Sequence, residues 1–260
     1  MKLLFVSAAL SLVASSVYAA DAVAVEDVAA IAPTTFSWTG GYVGINAGYA
    51  GGKFKNDISG YLVPIPDGAR LIRPTGLAGI WDLTANGFVG GVQAGYNWQL
   101  SNGFVLGAEA DFQGSTLKSK ETGSEGNNFF TANSEFTTKV QWWSTVRARL
   151  GYTPVERLLV YGTGGLAYGK IKTSYNYNFE YLDDDISSNP SFSTSKTRAG
   201  WTVGAGAEYA ITSNWTLKSE YLYTDLGTAK MSALMRPFGE GDINSEVKFH
   251  TVRVGLNYKF

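Results

Sequence analysis

Between Trp38 and Phe260, segment after segment alternates apolar residues with polar residues and glycine at a period of two. Successive side chains of a strand point to opposite faces, so this period belongs to strands with one apolar and one polar face. Eight segments carry it: 42–49, 88–98, 104–113, 140–152, 158–169, 200–209, 215–224 and 250–260. In 104–113, Phe104, Leu106, Ala108, Ala110 and Phe112 oppose Gly107, Glu109, Asp111 and Gln113. In 140–152, Val140, Trp142, Val146, Ala148, Leu150 and Tyr152 form the apolar face, against Thr145, Arg147, Arg149 and Gly151. Strands of this kind, roughly 9–13 residues long, match what a tilted strand needs to cross a bilayer.

A half-exposed soluble sheet would alternate in the same way. Three further features select the membrane. The links at 99–103, 153–157 and 210–214 are short, whereas those at 50–87, 114–139, 170–199 and 225–249 are long, as in barrels with short periplasmic turns and long external loops. Aromatic residues gather at the strand ends: Trp98, Phe104, Tyr152, Tyr209, Trp215 and Tyr258 beside the short links, and Tyr49, Phe88, Phe112, Trp142, Tyr168, Trp201 and Tyr223 beside the long ones. Two aromatic bands around an aliphatic belt suit the two headgroup zones of a bilayer. Finally, the chain ends in an alternating strand with Tyr258 and Phe260 on its apolar face, the pattern read by outer-membrane assembly machinery. The expected fold is all-β: an eight-stranded antiparallel transmembrane β-barrel with short periplasmic turns and four long external loops.

The N-terminus supports export. Lys2 precedes an apolar core from Leu3 to Val13, and Val17-Tyr18-Ala19 offers a cleavage site, with Ala20 as the alternative. That core is too short to span a bilayer as a helix and reads as a secretory signal. The expected organisation is a signal peptide over 1–19, a flexible periplasmic lead-in over 20–37 and a barrel over 38–260. Composition then excludes several classes. The net charge of -1 offers no nucleic-acid-binding face, and the absence of Cys removes disulfides and thiolate chemistry. With one His in the chain, paired-histidine catalysis and histidine metal clusters fall away, so neither an enzyme nor a metal site is expected.

The inward face holds opposite charges: Glu109, Asp111, Glu208 and Glu220 against Arg147, Arg149, Lys218 and Arg253. Eight strands enclose little more than their own side chains. Isolated charges there are costly, so these residues read as an ion-pair network plugging the lumen. The same charges would set the selectivity of a narrow pore, which is the second reading. Lys53, Lys55, Lys118, Lys120, Lys139, Lys170, Lys172, Lys196 and Arg198 flank the outer strand ends, where the outer leaflet carries the phosphates of lipopolysaccharide. Ordinary loop solubility would also place them there. The run Gly162-Thr163-Gly164-Gly165 lacks the Lys and the strand-to-helix context of a phosphate loop. His250 falls on the outward face near the external rim, as an interfacial side chain or one axial ligand of haemin. Asp183, Asp184 and Asp185 read as a solvated acidic loop tip.

The stretches FSWTGGYVGINAGYAGGKF (36–54), GFVGGVQAGYNWQL (87–100), VRARLGYTPVERLLVYGTGGLAYGK (146–170), AGWTVGAGAEYAITSNWTLKSEYLYTDLG (199–227) and FHTVRVGLNYKF (249–260) resemble the small immunogenic outer-membrane proteins of Brucella and related alphaproteobacteria. The resemblance implies an eight-stranded outer-membrane barrel, loops exposed as surface antigens to antibodies or host molecules, and a role in envelope integrity. It implies no catalytic residues. Porin-like and haemin-binding relatives keep a narrow porin and a haemin-binding surface protein as alternatives.

Overall fold

The computed structural model describes residues 36–60, 79–126, 130–181, 187–189, 191–235 and 239–260. The expected signal peptide over 1–19, the lead-in up to residue 35 and the acidic run at 183–185 lie outside the described residues.

The described chain is all strand and turn: β1 (Gly40–Gly60), β2 (Gly79–Gln99), β3 (Phe104–Ser115), β4 (Lys118–Gly126), β5 (Phe130–Val155), β6 (Leu158–Tyr181), β7 (Ser187–Ser188), β8 (Ser191–Ala210), β9 (Trp215–Met235) and β10 (Gly239–Lys259). Each strand pairs antiparallel with its neighbour, and β1 pairs with both β2 and β10, from Tyr42↔Lys259 out to Gly60↔Gly241. The sheet thus closes on itself and has no open edge along its staves. β3 and β4 form one stave bent at Thr116–Leu117, and β7 is a short addition beside β6. Eight staves make the ring, an eight-stranded antiparallel barrel. The short turns lie at 100–103, 156–157 and 211–214, within the links read from the sequence.

The staves are longer than the alternation of apolar residues indicates. β5 runs 26 residues and β8 20, so much of what reads as long loop is paired strand. The reason lies in the same period of two continued in polar residues. Lys53 and Lys55 flank Phe54, Lys118 and Lys120 flank Ser119, and Lys170 and Lys172 flank Ile171. Once a neighbour is in register, the ladder satisfies each backbone group beyond the membrane as well as inside it. About ten residues cross the bilayer, so roughly half of each long stave stands beyond it.

One apolar position changes face. Val140 is fully buried inside the barrel, whereas Trp142 lies on the outer side. The register of β5 against β6 shifts between Val140 and Trp142, and the extra residue of this bulge inverts the alternation beyond it. The bulge sits opposite the β3–β4 bend, where the backbone N–H of Val140 donates to the carbonyl of Leu117 at 3.0 Å.

The barrel is apolar outside and polar at its heart. Ile45, Phe88, Val146 and Leu166 are 62–72% exposed or more than half exposed, an aliphatic and aromatic surface fit for lipid. Rings pair across strands at both ends: Phe104–Tyr152 and Trp215–Tyr258 by the short turns, with Tyr96 against Trp98 along β2, and Tyr49–Phe88, Phe112–Trp142 and Trp201–Tyr223 toward the long hairpins. These are the two girdles expected at the interfaces.

Candidate functional site

The eight inward charges come together at one level of the lumen. Each is at most 4% exposed, and four carboxylates face four cations, so their formal charges cancel. Glu109 on β3 is the hub. The Lys218 ammonium lies 2.9 and 2.8 Å from its two oxygens, and Arg147, Arg149 and Arg253 also reach it. Asp111 accepts from Arg147 at 3.0 Å and Arg253 at 2.8 Å. Glu220 accepts from Arg147 at 3.0 Å and from Arg253 Nε at 2.8 Å. Glu208 accepts from Arg149 at 2.7 Å. Buried as they are, each charge depends on its partners.

Neutral side chains complete the network. The Tyr42 hydroxyl donates to Glu109 at 2.7 Å, and that of Tyr161 to Glu220 at 3.1 Å. The guanidinium of Arg149 lies between both rings, 3.9 Å from the Tyr161 centroid and 5.6 Å from that of Tyr42. Each tyrosine lies across a glycine: a Cβ on Gly95 would fall 2.4 Å from the Tyr42 hydroxyl, and one on Gly206 2.6 Å from that of Tyr161. Glycine at these two positions is therefore the space the rings occupy. A second chain of contacts runs from Asn46 to Gln93 at 2.9 Å, from Gln93 to Asn257 at 2.5 Å and from Asn257 to Glu208 at 2.7 Å. All of these residues stand at inward positions in the alternation, so parity and polarity together were the signal that placed them in the network.

Apolar layers close the lumen on either side of the charges. On the periplasmic side, Phe36 and Trp38 pack with Val105, Leu159, Tyr161 and Ala210. Trp38 is 1% exposed, and its indole N–H donates to the carbonyl of Glu156 at 3.1 Å. On the outer side, Phe54, Leu117, Trp143, Leu226 and Phe249 fill the barrel, with the Trp143 and Phe249 rings 5.0 Å apart. Both layers escape a reading of the inward face as glycine and charge alone. Trp38 and Phe36 precede the first strand, and the outer layer is interleaved with lysines.

The rim cations divide. Lys53, Lys55, Lys118, Lys120, Lys139, Lys170 and Lys172 alternate with buried Phe54, Leu117, Ser119 and Ile171 and so stand on the outward face. Lys196 and Arg198 do not join them. Their partners are Ile171 and Gly169, which lie on the inner side, and Arg198 donates to the carbonyl of Thr228. A register set by β6 decides this, and charge alone does not reveal it. Lys118 lies opposite Lys139, and Lys139 opposite Lys172, in one cross-strand row. Lys120 pairs with Glu135 at 2.8 Å, which holds that carboxyl below the usual carboxylate range.

The remaining candidates fall within the barrel wall. Thr163 of the Gly-Thr-Gly-Gly run lies in β6, with its hydroxyl bonded to the carbonyl of Ala148 at 2.9 Å, and no phosphate-binding loop forms there. His250 is exposed on the outward face, its Nδ1 2.6 Å from the Tyr221 hydroxyl and its ring against Tyr223. Tyr258 and Phe260 lie outward at the closing strand, their centroids 5.4 Å apart, and Phe260 donates from its backbone N–H to the carbonyl of Gly41 at 3.0 Å.

A closed ring of antiparallel strands with an apolar outer face matches what comparison with known proteins finds. The family model of the outer membrane protein beta-barrel domain matches residues 5–260. The chain belongs to the outer-membrane β-barrel family. It is 55% identical over 262 residues to the 31 kDa outer-membrane immunogenic protein of Brucella melitensis biotype 1, covering 100% of both chains. The 22 kDa outer membrane protein of Rhizobium leguminosarum bv. viciae is 32% identical, over 86% of this chain and 79% of that one. The solved structure of OprG from Pseudomonas aeruginosa is similar at 13% identity and a TM-score of 0.42, over 87% of this chain and 98% of that one. As a member of this outer-membrane family, the protein resides in the outer membrane.

Proposed function

We propose that this family member is a structural, surface-displayed barrel that supports the envelope by holding lipopolysaccharide at its outer rim. The row Lys118–Lys139–Lys172 carries the reading. Side chains directly opposite on neighbouring strands lie about 5 Å apart, and like charges in that relation repel. All three ammonium groups are on exposed residues, and no salt bridge forms to any of them among the described residues. A layer of phosphates offsets such repulsion and makes the row favourable, and the phosphorylated outer leaflet supplies that layer at this height. Lys170, Lys53 and Lys55 extend the same outward belt.

The closed lumen supports anchoring over conduction. Two apolar layers stand on either side of a neutral, buried ion-pair network, which weakens the narrow-porin reading. The haemin reading rests on His250, whose Nδ1 is already engaged by Tyr221. The same outward position, away from the lumen carboxylates, supports a non-enzymatic role. The long polar hairpins favour display to antibodies and host molecules, in keeping with a relative named as an immunogenic protein. Tyr258 and Phe260, outward on the last strand, suit recognition by the assembly machinery, and the expected export signal over 1–19 would deliver the chain to it.

The test is retention of lipopolysaccharide. The triple variant Lys118→Gln, Lys139→Gln, Lys172→Gln, extracted in mild detergent, is expected to carry several-fold less lipopolysaccharide per barrel than the unaltered protein, and salt is expected to weaken the latter's retention. Equal retention by both proteins would overturn the proposal.

A further inference from the structure

Beyond the lysine row, the outward side of β4, β5, β6 and β8 sinks into a cleft of about 580 Å³. That is within the ~300–1,000 Å³ of small-ligand sites. Register ties the cleft to the row. On β4, Lys118, Lys120, Thr122 and Ser124 succeed one another on one face, so Thr122 stands four residues, roughly 13 Å along the tilted strand, beyond Lys118. Thr122 faces Glu135, which faces Asn176, which faces Ser191, and Ser124 faces Asn133, which faces Asn178.

The chemistry of this wall is narrow. Among the described residues it presents amides and hydroxyls, and their one carboxylate, Glu135, is paired with Lys120 at 2.8 Å. The cleft is therefore close to neutral and offers little to a free phosphate or a cation. Among the described residues no aromatic or aliphatic side chain lines it, which disfavours an apolar ligand. The side-chain amides of Asn133, Asn176, Asn178 and Asn189 make no hydrogen bond among the described residues. Each amide offers two donors and an acceptor. A polyhydroxylated, uncharged ligand is the class that uses such a set.

We infer that this cleft is a saccharide subsite, and that it takes the core oligosaccharide of the lipopolysaccharide whose lipid-A phosphates meet the lysine row. The source of the sugar rests on the lipopolysaccharide reading above, whereas the preference for a sugar rests on the cleft alone. The vertical order agrees with the ligand, since the phosphates of lipid A lie at the leaflet surface and the core sugars project beyond them.

The full-length protein in nanodiscs is to be titrated with three probes: lipopolysaccharide with a complete core, deep-rough lipopolysaccharide that keeps the lipid-A phosphates but lacks most core sugars, and soluble dephosphorylated core oligosaccharide. The unaltered protein is expected to hold the complete-core form about tenfold tighter than the deep-rough form, the scale of one or two net hydrogen bonds. Asn133→Leu with Asn176→Leu is expected to abolish that ratio and leave deep-rough binding unchanged. Asn178→Trp, which fills the cleft from β6, is expected to do the same, and a heat-modifiability gel verifies that each variant folds. The lysine triple variant is expected to weaken both lipopolysaccharides together and preserve their ratio. A ratio near one in the unaltered protein, or a ratio indifferent to both cleft variants, overturns the inference. A ratio that responds to the cleft variants while the lysine triple changes nothing overturns the phosphate reading and leaves the subsite. Cleft-dependent binding of the soluble oligosaccharide without discrimination between the two lipopolysaccharides overturns the core as its source.

Discussion

Replacing Glu109 by Gln removes the hub of the lumen network with little change of volume. The consequences for its four cations differ. Arg147 keeps Asp111 and Glu220, each at 3.0 Å, and Arg253 keeps Asp111 at 2.8 Å and Glu220 at 2.6 Å. Arg149 keeps Glu208 at 2.7 Å. Lys218 loses its ion pair and one of its two short contacts, keeps at most a neutral amide oxygen at 109, and has Glu220 at 3.9 Å as its remaining carboxylate. The variant thus leaves a buried ammonium almost unpaired, in a cluster of four cations and three carboxylates. Breaking a buried pair on one side costs about 3–5 kcal/mol. Urea titration of the barrel refolded into lipid vesicles should show a loss of that size. Lys218→Met removes the stranded charge, so the double variant Glu109→Gln, Lys218→Met should be more stable than the sum of the single changes predicts by about 1–3 kcal/mol. A Glu109→Gln barrel within about 1 kcal/mol of the unaltered protein, or strictly additive single changes, would refute the argument that pairing within this cluster holds the lumen together.

Val146 is 62% exposed on the outer surface, midway along β5 between the Trp142 and Tyr152 girdles. Val146→Arg should destabilise the barrel in lipid by about 2–4 kcal/mol in the same titration, and a change below 1 kcal/mol would argue that this face does not meet hydrocarbon. Planar-bilayer recordings of the unaltered protein should show no reproducible single-channel steps, because Trp38 and Trp143, each 1% exposed, fill the lumen on the two sides of the charges. Regular conductance steps would mean that these layers open.

The alternation alone was enough to sort the side chains of most membrane-crossing segments by face, and with them the eight charges of the lumen. This is so because strand parity is local: the direction of Glu109 or Arg147 follows from its neighbours in the chain. Parity also marks the girdles, because each aromatic ring can be placed by its own position along a strand. It fails where a contact between distant segments intervenes. The bulge after Val140 reverses the face of that residue, and only the bend of β3–β4 across from it explains why an extra residue is accommodated there. Lys196 and Arg198 look like their neighbours in sequence, but pairing with β6 turns them to the inner side. The identity of the partners within the network, Lys218 on Glu109 or Arg149 between Tyr42 and Tyr161, depends on which strands close the ring and at what stagger. The cleft is of the same kind. Its lining side chains come from β4, β5, β6 and β8, and only the tertiary register stands them beyond a row of lysines.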